Sequence, residues 1–85
     1  MSHVTAEVEG ALIALYENGS QQETARDAVV VFVRAERAAG ASPERVVVLL
    51  KKAAADAYYR AAGAYDARAL REDIVRWGIR AYYTD

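Results

Sequence analysis

Few side chains in this sequence have the chemistry of a catalytic nucleophile or base. The serines are Ser2, Ser20 and Ser42, the only histidine is His3, and there is no cysteine. Nucleophilic catalysis needs a nucleophile, a base and a group that orients the base. Two of these serines stand where helix caps are expected, and Ser2 and His3 lie within the first three residues. We therefore predict no catalytic residues, and expect that the protein is not an enzyme.

The sequence also lacks the patterns that hold metals and cofactors. A chain with one histidine and no cysteine cannot form a multi-histidine or thiolate zinc site by itself. Its acidic residues are spread along the outer faces of the predicted helices, and its five glycines occur singly, so no glycine-rich phosphate loop is present. We predict no metal site and no cofactor.

Tyrosine is the one enriched residue type with binding potential. Two of the six tyrosine positions form the pair Tyr58-Tyr59, and two more form the pair Tyr82-Tyr83. Each pair lies near the C-terminal end of a predicted helix. The rings either seal the ends of the fold with their hydroxyls in water, or form part of a surface that binds a partner.

Three breaks define the elements that must position these side chains. Each break combines a helix-ending glycine with a residue that caps the next helix: Gly19 and Ser20, Gly40 and Ser42, Gly63 and Asp66. Pro43 suits the first turn of the third helix. The breaks predict four helices, near residues 4–18, 21–39, 43–62 and 67–83.

Two valine-rich runs, Val29–Val33 and Val46–Leu50, are also compatible with β-strands. We favour helix, because both runs lie inside capped segments rich in Ala, Arg, Glu and Lys. The connections are short, so consecutive helices should pack antiparallel. The fold prediction is an all-α, antiparallel four-helix bundle that forms a single domain over residues 1–85.

Apolar residues at helical spacing predict the core. The predicted core residues are Val4, Val8, Ala11, Leu12 and Leu15, then Ala25, Ala28, Val29, Phe32 and Ala39, then Val46, Leu49, Leu50, Ala53 and Ala57, and finally Leu70, Ile74, Trp77, Gly78 and Ala81. Gly78 would let the backbone of the fourth helix approach its neighbours closely. Glu36 falls on the apolar side of its helix near Phe32, either at the wet end of the helix or as a buried acid.

One apolar residue of each helix falls instead on the polar side. These four are Ile13, Val30, Val48 and Ile79. The chain has 19 alanines, which bury little area, so a stable core is hard to complete within one copy. We predict a homodimer interface formed by these four residues and the two tyrosine pairs, and expect Val48→Glu to weaken the dimer.

Charge is nearly balanced overall but unevenly distributed. The net charge is −1. Residues 1–33 carry five acidic side chains and one basic, whereas residues 34–60 carry six basic and three acidic. An alternative function is therefore a small nucleic-acid-binding regulator that uses Arg34, Arg37, Arg45, Lys51 and Lys52, although the overall charge makes nucleic acid an improbable partner. A third is a small-ligand sensor with a pocket near Trp77.

The first residues do not have the pattern of a signal peptide. The longest apolar run, Ala28–Val33, is far shorter than the ~20 residues that cross a bilayer. We expect a cytoplasmic protein with no membrane partner.

The segment from Gly40 to Lys52 resembles the junction between two helices in the N-terminal domain of RsbU-type phosphatase regulators. In both, a helix ends, Pro-Glu opens the next, and paired aliphatic residues precede basic ones. The segment from Leu70 to Tyr82 is similar to the last helix of that domain. The resemblance covers about residues 29–83 and implies a homodimeric helical bundle, related to the dimerisation domain of the clock protein KaiA, that binds a regulatory partner. With the residues above, it predicts a non-enzymatic protein–protein interaction module.

Overall fold

The computed structural model describes residues 4–18, 22–61 and 67–84. These residues form four helices: α1 (Val4–Asn18), α2 (Gln22–Ala38), α3 (Pro43–Arg60) and α4 (Ala67–Tyr83). No strand occurs among them, so both valine-rich runs are helical, as predicted. The predicted bounds agree with the observed ones to within two residues.

The junction between α2 and α3 has the predicted caps. Gly40 has φ 94°, the left-handed conformation in which a side chain is unfavourable. The Ser42 hydroxyl accepts a hydrogen bond from the backbone N–H of Arg45 at 3.2 Å, and Pro43 occupies the first turn of α3. The predicted caps of the other two breaks, at residues 19–20 and 63–66, lie outside the described residues.

The four helices pack in a ring in the order α1, α2, α4, α3. Each helix contacts its two neighbours extensively, whereas α2 and α3 touch at only a few points. These contacts are compatible with a four-helix bundle. The consecutive helices α2 and α3 therefore lie across the bundle from one another, a placement that the short connection between them did not predict.

Contacts at the helix ends show which ends meet. Arg37, at the end of α2, donates a hydrogen bond to the backbone carbonyl of Tyr82, at the end of α4, at 2.7 Å. The rings of Tyr16 and Tyr58, near the ends of α1 and α3, lie 5.8 Å apart. The C-terminal ends of α2 and α4 thus lie together, and so do those of α1 and α3.

The core largely follows the predicted apolar arcs. Among the side chains that the structure describes, sixteen hydrophobic ones are buried: Val8, Leu12, Leu15, Tyr16, Ala25, Val29, Phe32, Val33, Val46, Leu50, Ala53, Ala54, Ala57, Leu70, Ile74 and Ala81. Tyr16, Val33 and Ala54 were not predicted to be in the core. The prediction for Ala39 was wrong: it is exposed, because it lies in the turn after the last residue of α2.

Gly78 allows the close approach that its position predicted. A Cβ atom built on Gly78 would overlap Leu50 Cδ1 and lie 3.5 Å from Val33 Cγ2. The backbone of α4 therefore rests directly on side chains of α2 and α3.

None of the helices that the structure describes is long and apolar enough to span a bilayer.

Candidate functional site

The groups with potential for covalent chemistry are not assembled in the described part of the chain. The Ser42 hydroxyl caps α3. Ser2, His3 and Ser20 lie outside the described residues. Within residues 4–18, 22–61 and 67–84, no three His, Cys, Asp or Glu side chains are grouped so as to hold a metal ion.

The eight predicted interface residues fall in different places. Four of them are well exposed: Val48, Ile79, Tyr59 and Tyr83. Tyr58 is exposed to a smaller extent, at 38%. Ile13, Val30 and Tyr82 are partly buried and pack against the core. Sequence reasoning missed Val31, which is 59% exposed on α2; its position opposite Val29 and Val33 on the helix was the available signal.

Ile79 and Tyr83 come together on the side of α4 that faces away from the core. With Val75 they stand at positions i, i+4 and i+8, which lie on one face of a helix. A shallow groove follows this face and is lined by Glu72, Val75, Arg76, Ile79, Arg80, Tyr83 and Thr84. We call this surface the α4 outer face.

Tyr82 has a structural role that its neighbour Tyr83 does not share. Its hydroxyl donates a hydrogen bond of 2.6 Å to the carbonyl of Ala41 in the turn between α2 and α3. Its own backbone carbonyl accepts the bond from Arg37. Tyr83 is 68% exposed and its ring packs edge-on against that of Tyr82. Of this pair, Tyr83 is the residue free to meet a partner.

The other pair belongs to an aromatic cluster at the end of α3. The Tyr58 ring packs edge-on against both Tyr16 and Tyr59, with centroids 5.8 Å away in each case. Burial raises the pKa of the Tyr16 hydroxyl, because the phenolate would lose its hydration, while the positive charge of Arg71 acts in the opposite direction. Tyr16 therefore stays neutral and belongs to the core, whereas Tyr59 is 83% exposed.

A groove between α2 and α4 gathers basic side chains around the only tryptophan. It has a volume of about 290 Å³ and is lined by Arg26, Val30, Arg34, Arg76, Trp77, Arg80, Ala81 and Thr84. The α2 residues Arg26, Val30 and Arg34 are spaced by four, which places them on one face of the helix. None of the acidic residues that the structure describes lines the groove. We call it the arginine groove.

The guanidinium groups of this groove have few counter-charges. Arg26 lies over Trp77, with its Cζ 5.4 Å from the ring centroid, a distance at which a cation interacts with an indole. Arg76 is 3.6 Å from Asp73, a long and solvent-exposed ion pair that contributes little. For Arg34 and Arg80, no acid among the described residues lies within ion-pair distance. The groove therefore concentrates positive charge in a chain whose net charge is −1.

A second cleft, between α1, α2 and α3, has both signs of charge. It also measures about 290 Å³, and is lined by Val8, Glu9, Phe32, Glu36, Arg45, Leu49, Lys52, Ala53 and Asp56. Three acids and two bases thus surround an apolar floor. Glu36 is half-buried, which answers the question its sequence position raised. We call this region the mixed-charge cleft.

Glu9 is a largely enclosed acid of this cleft, with a side chain that is 19% exposed. Its Oε1 lies 2.6 Å from a guanidinium nitrogen of Arg60. The same oxygen is buried and makes no hydrogen bond of acceptable angle. The short distance establishes an ion pair between Glu9 and Arg60. Because the two groups are poorly aligned, their interaction is electrostatic and does not include a directional hydrogen bond.

The basic residues predicted to bind nucleic acid do not line one surface. Arg34 lines the arginine groove, whereas Arg45 and Lys52 line the mixed-charge cleft. Arg37 is bonded to Tyr82. The basic residues that do come together include three that this prediction omitted: Arg26, Arg76 and Arg80.

Comparisons of the chain with protein-family models, with curated proteins and with solved structures found no match.

Proposed function

We propose that this protein is a non-enzymatic, cytoplasmic protein–protein interaction module that acts as a homodimer through the α4 outer face. The observation that carries the proposal is the joint exposure of Ile79 and Tyr83 along one groove, at 44% and 68%. Two large apolar side chains on one helix face form a contiguous patch, the kind of surface that marks a contact with another chain.

Burial of this face would supply the driving force. Covering a fully exposed Ile or aromatic side chain contributes about 1.5–3 kcal/mol. A two-fold axis uses the same patch on both copies, so each contribution counts twice. Tyrosine is also among the residues that most often anchor protein interfaces.

The charges beside the patch suit a self-complementary contact. Glu72 lies on the same groove as Arg76 and Arg80. Both signs are therefore present at the rim, and a two-fold axis can bring the acid of one copy towards a base of the other. The resemblance to RsbU-type domains implies a homodimer as well, and a regulatory protein as a further partner.

The proposal includes the arrangement of the helices within each copy. Consecutive helices run antiparallel, as short connections require. The meeting of the α2 and α4 ends, and of the α1 and α3 ends, supports this arrangement, because helices two apart in sequence then run in the same direction.

Sedimentation equilibrium over micromolar protein concentrations tests the dimer. The wild-type chain should sediment as a dimer, and Ile79→Glu should shift it towards monomer because a charge would be buried at the contact. Val31→Glu is the matched control, since it places the same charge at an exposed valine of α2 and should leave association unchanged.

Val48→Glu maps how far the interface extends. Val48 is 64% exposed on α3, away from the groove that Ile79 lines. Weaker association in both Ile79→Glu and Val48→Glu would extend the interface to α3, as the sequence predicts. A monomer in the wild type, or an unchanged association constant for Ile79→Glu, would overturn the proposal.

A further inference from the structure

We propose that the arginine groove is a binding site for a small phosphate-bearing ligand with a planar ring, of the chemical class of the nucleoside diphosphates. The groove shares Arg76 and Arg80 with the rim of the α4 outer face, whereas Arg26, Arg34 and Trp77 play no part in the dimer proposal. It assigns a chemical class to a site near Trp77, for which the sequence predicted only an unspecified small ligand.

The charge of the groove points to an anion. Four guanidinium groups line about 290 Å³ of space, and within residues 4–18, 22–61 and 67–84 no acidic side chain lines it. Guanidinium groups form paired hydrogen bonds with phosphate oxygens, and these bonds are stronger than those between neutral groups. Four such groups match the charge and the multiple oxygens of a diphosphate better than those of a single carboxylate.

The neighbouring acids do not neutralise this charge. Glu23 and Asp27 on α2 are exposed, and neither lies within ion-pair distance of a groove arginine. Asp73 does approach Arg76, but at 3.6 Å and in an exposed position, where an ion pair contributes little. An anion in the groove would therefore supply a counter-charge to guanidinium groups that are otherwise solvated by water.

Trp77 supplies a surface for the planar ring. It is only partly buried, and the guanidinium of Arg26 already lies over its ring. Arg26 is exposed, so its side chain can move aside or stack on the far side of an inserted base. Stacking of a base on an aromatic side chain is favourable for every base, because each base has a π-face.

The size of the groove favours a small ligand over a nucleic-acid strand. Its volume lies at the lower limit of small-molecule sites, which measure about 300–1,000 Å³. A single strand needs a basic track that continues along its backbone. Here Arg37 is bonded to the backbone carbonyl of Tyr82, and Arg45 and Lys52 line a different cleft with three acids.

Fluorescence of Trp77 gives a direct test, because Trp77 is the only tryptophan in the chain. Titration with ADP should change the emission saturably, with one site per chain by calorimetry. Pyrophosphate should bind more weakly, since it lacks the ring, and adenosine should not bind detectably. No saturable change with ADP, or equal binding of adenosine, would overturn the proposal.

Two macromolecules serve as competing probes. A single-stranded oligonucleotide or a glutamate-rich peptide that binds more tightly than ADP would assign the groove to that partner and overturn the proposal. Competition by unlabelled ADP at the same groove, with weaker binding of both macromolecules, would support it.

Substitutions then locate the site. Arg34→Gln should weaken ADP binding about tenfold or more, because a hydrogen bond to a charged group contributes about 1.5–3 kcal/mol. Lys52→Gln in the mixed-charge cleft is the matched control and should leave ADP affinity unchanged. Circular dichroism checks that both variants fold; equal affinities of the two folded variants would contradict the assignment.

Ile79→Glu separates this proposal from the dimer. Ile79 lines the α4 outer face but not the arginine groove. If the Ile79→Glu chain is monomeric and still binds ADP, the ligand site does not depend on the dimer. Failure of dimerisation and failure of ADP binding are therefore distinguishable results.

Discussion

The arginine groove and the mixed-charge cleft have the same volume, but the groove is positively charged whereas the cleft has both signs of charge. Each is about 290 Å³, and α2 contributes to both. Among the described residues, the cleft is lined by three acids and two bases, whereas the groove is lined by four arginines and no acid. Charges that compensate one another need no ligand. Charges of one sign repel each other unless a ligand of opposite charge binds among them. The arginine groove is therefore the better candidate for a binding site.

The two faces of α2 explain this difference. Phe32 and Glu36, four residues apart, face the cleft, while Arg26, Val30 and Arg34 face the groove with α4. Helix α2 thus has a core aromatic residue on one side and two groove arginines on the other. The regions also differ beneath the surface: Phe32 in the cleft is 4% exposed, whereas Trp77 in the groove is only partly buried.

The largest expected effect concerns the floor of the cleft. Phe32→Ala should lower the free energy of unfolding by about 3–5 kcal/mol, because it leaves a cavity in the core. Urea unfolding measures the change. Val31→Ala, at the exposed neighbouring position, should stay within about 0.5 kcal/mol of the wild type. Similar losses in both variants would mean that the cleft floor is not part of the core.

The next effect concerns the close packing of α4 against Leu50 at Gly78. This packing positions the α4 wall of the arginine groove. Gly78→Ala overlaps Leu50; overpacking costs about 1–3 kcal/mol, and alanine regains about 1 kcal/mol in a helix interior. We expect a net loss of up to about 2 kcal/mol in thermal or urea unfolding.

Gly10 is the natural control for Gly78. A Cβ at Gly10 meets nothing within 4 Å, and the residue lies in the interior of α1. Gly10→Ala should therefore stabilise the protein by about 0.5–1 kcal/mol. Stabilisation by both alanine substitutions would show that the contact between α4 and Leu50 is looser than described.

The smallest effect tests the electrostatic comparison itself. With no ligand present, Arg34→Gln should raise the free energy of unfolding by ~0.2–0.5 kcal/mol, because it relieves repulsion in the groove. Lys52→Gln should lower it by a similar amount, because it removes an attraction in the cleft. Both changes should fade in high salt, and the same sign for both variants would refute the contrast between the regions.

Local signals predicted the elements of this fold well. Gly40, Ser42 and Pro43 define one junction through backbone geometry that depends only on neighbouring residues. Apolar spacing likewise identified most of the core. Tyr16 was missed although it stands four residues after Leu12 on the same buried arc, because its polar hydroxyl argues against the core.

The surfaces could not be predicted in the same way, because they depend on which helices become neighbours. The arginine groove exists because α2 lies beside α4, which brings Arg26 and Arg34 to Arg76 and Arg80. A reading of consecutive segments grouped Arg34 with Lys52 instead. Spacing along one helix did reveal the exposure of Ile79, since that property needs no partner helix.

The hydrogen bonds of Tyr82 also bear on the order in which the protein folds. They join residues 41 and 45 positions apart in the chain. A ribosome synthesises α2 and its following turn well before α4, so neither bond can form while the first half emerges. Contacts between distant residues also form late because the loop between them must close first. The contacts of Tyr82 with Ala41 and Arg37 should therefore be among the last to form during folding.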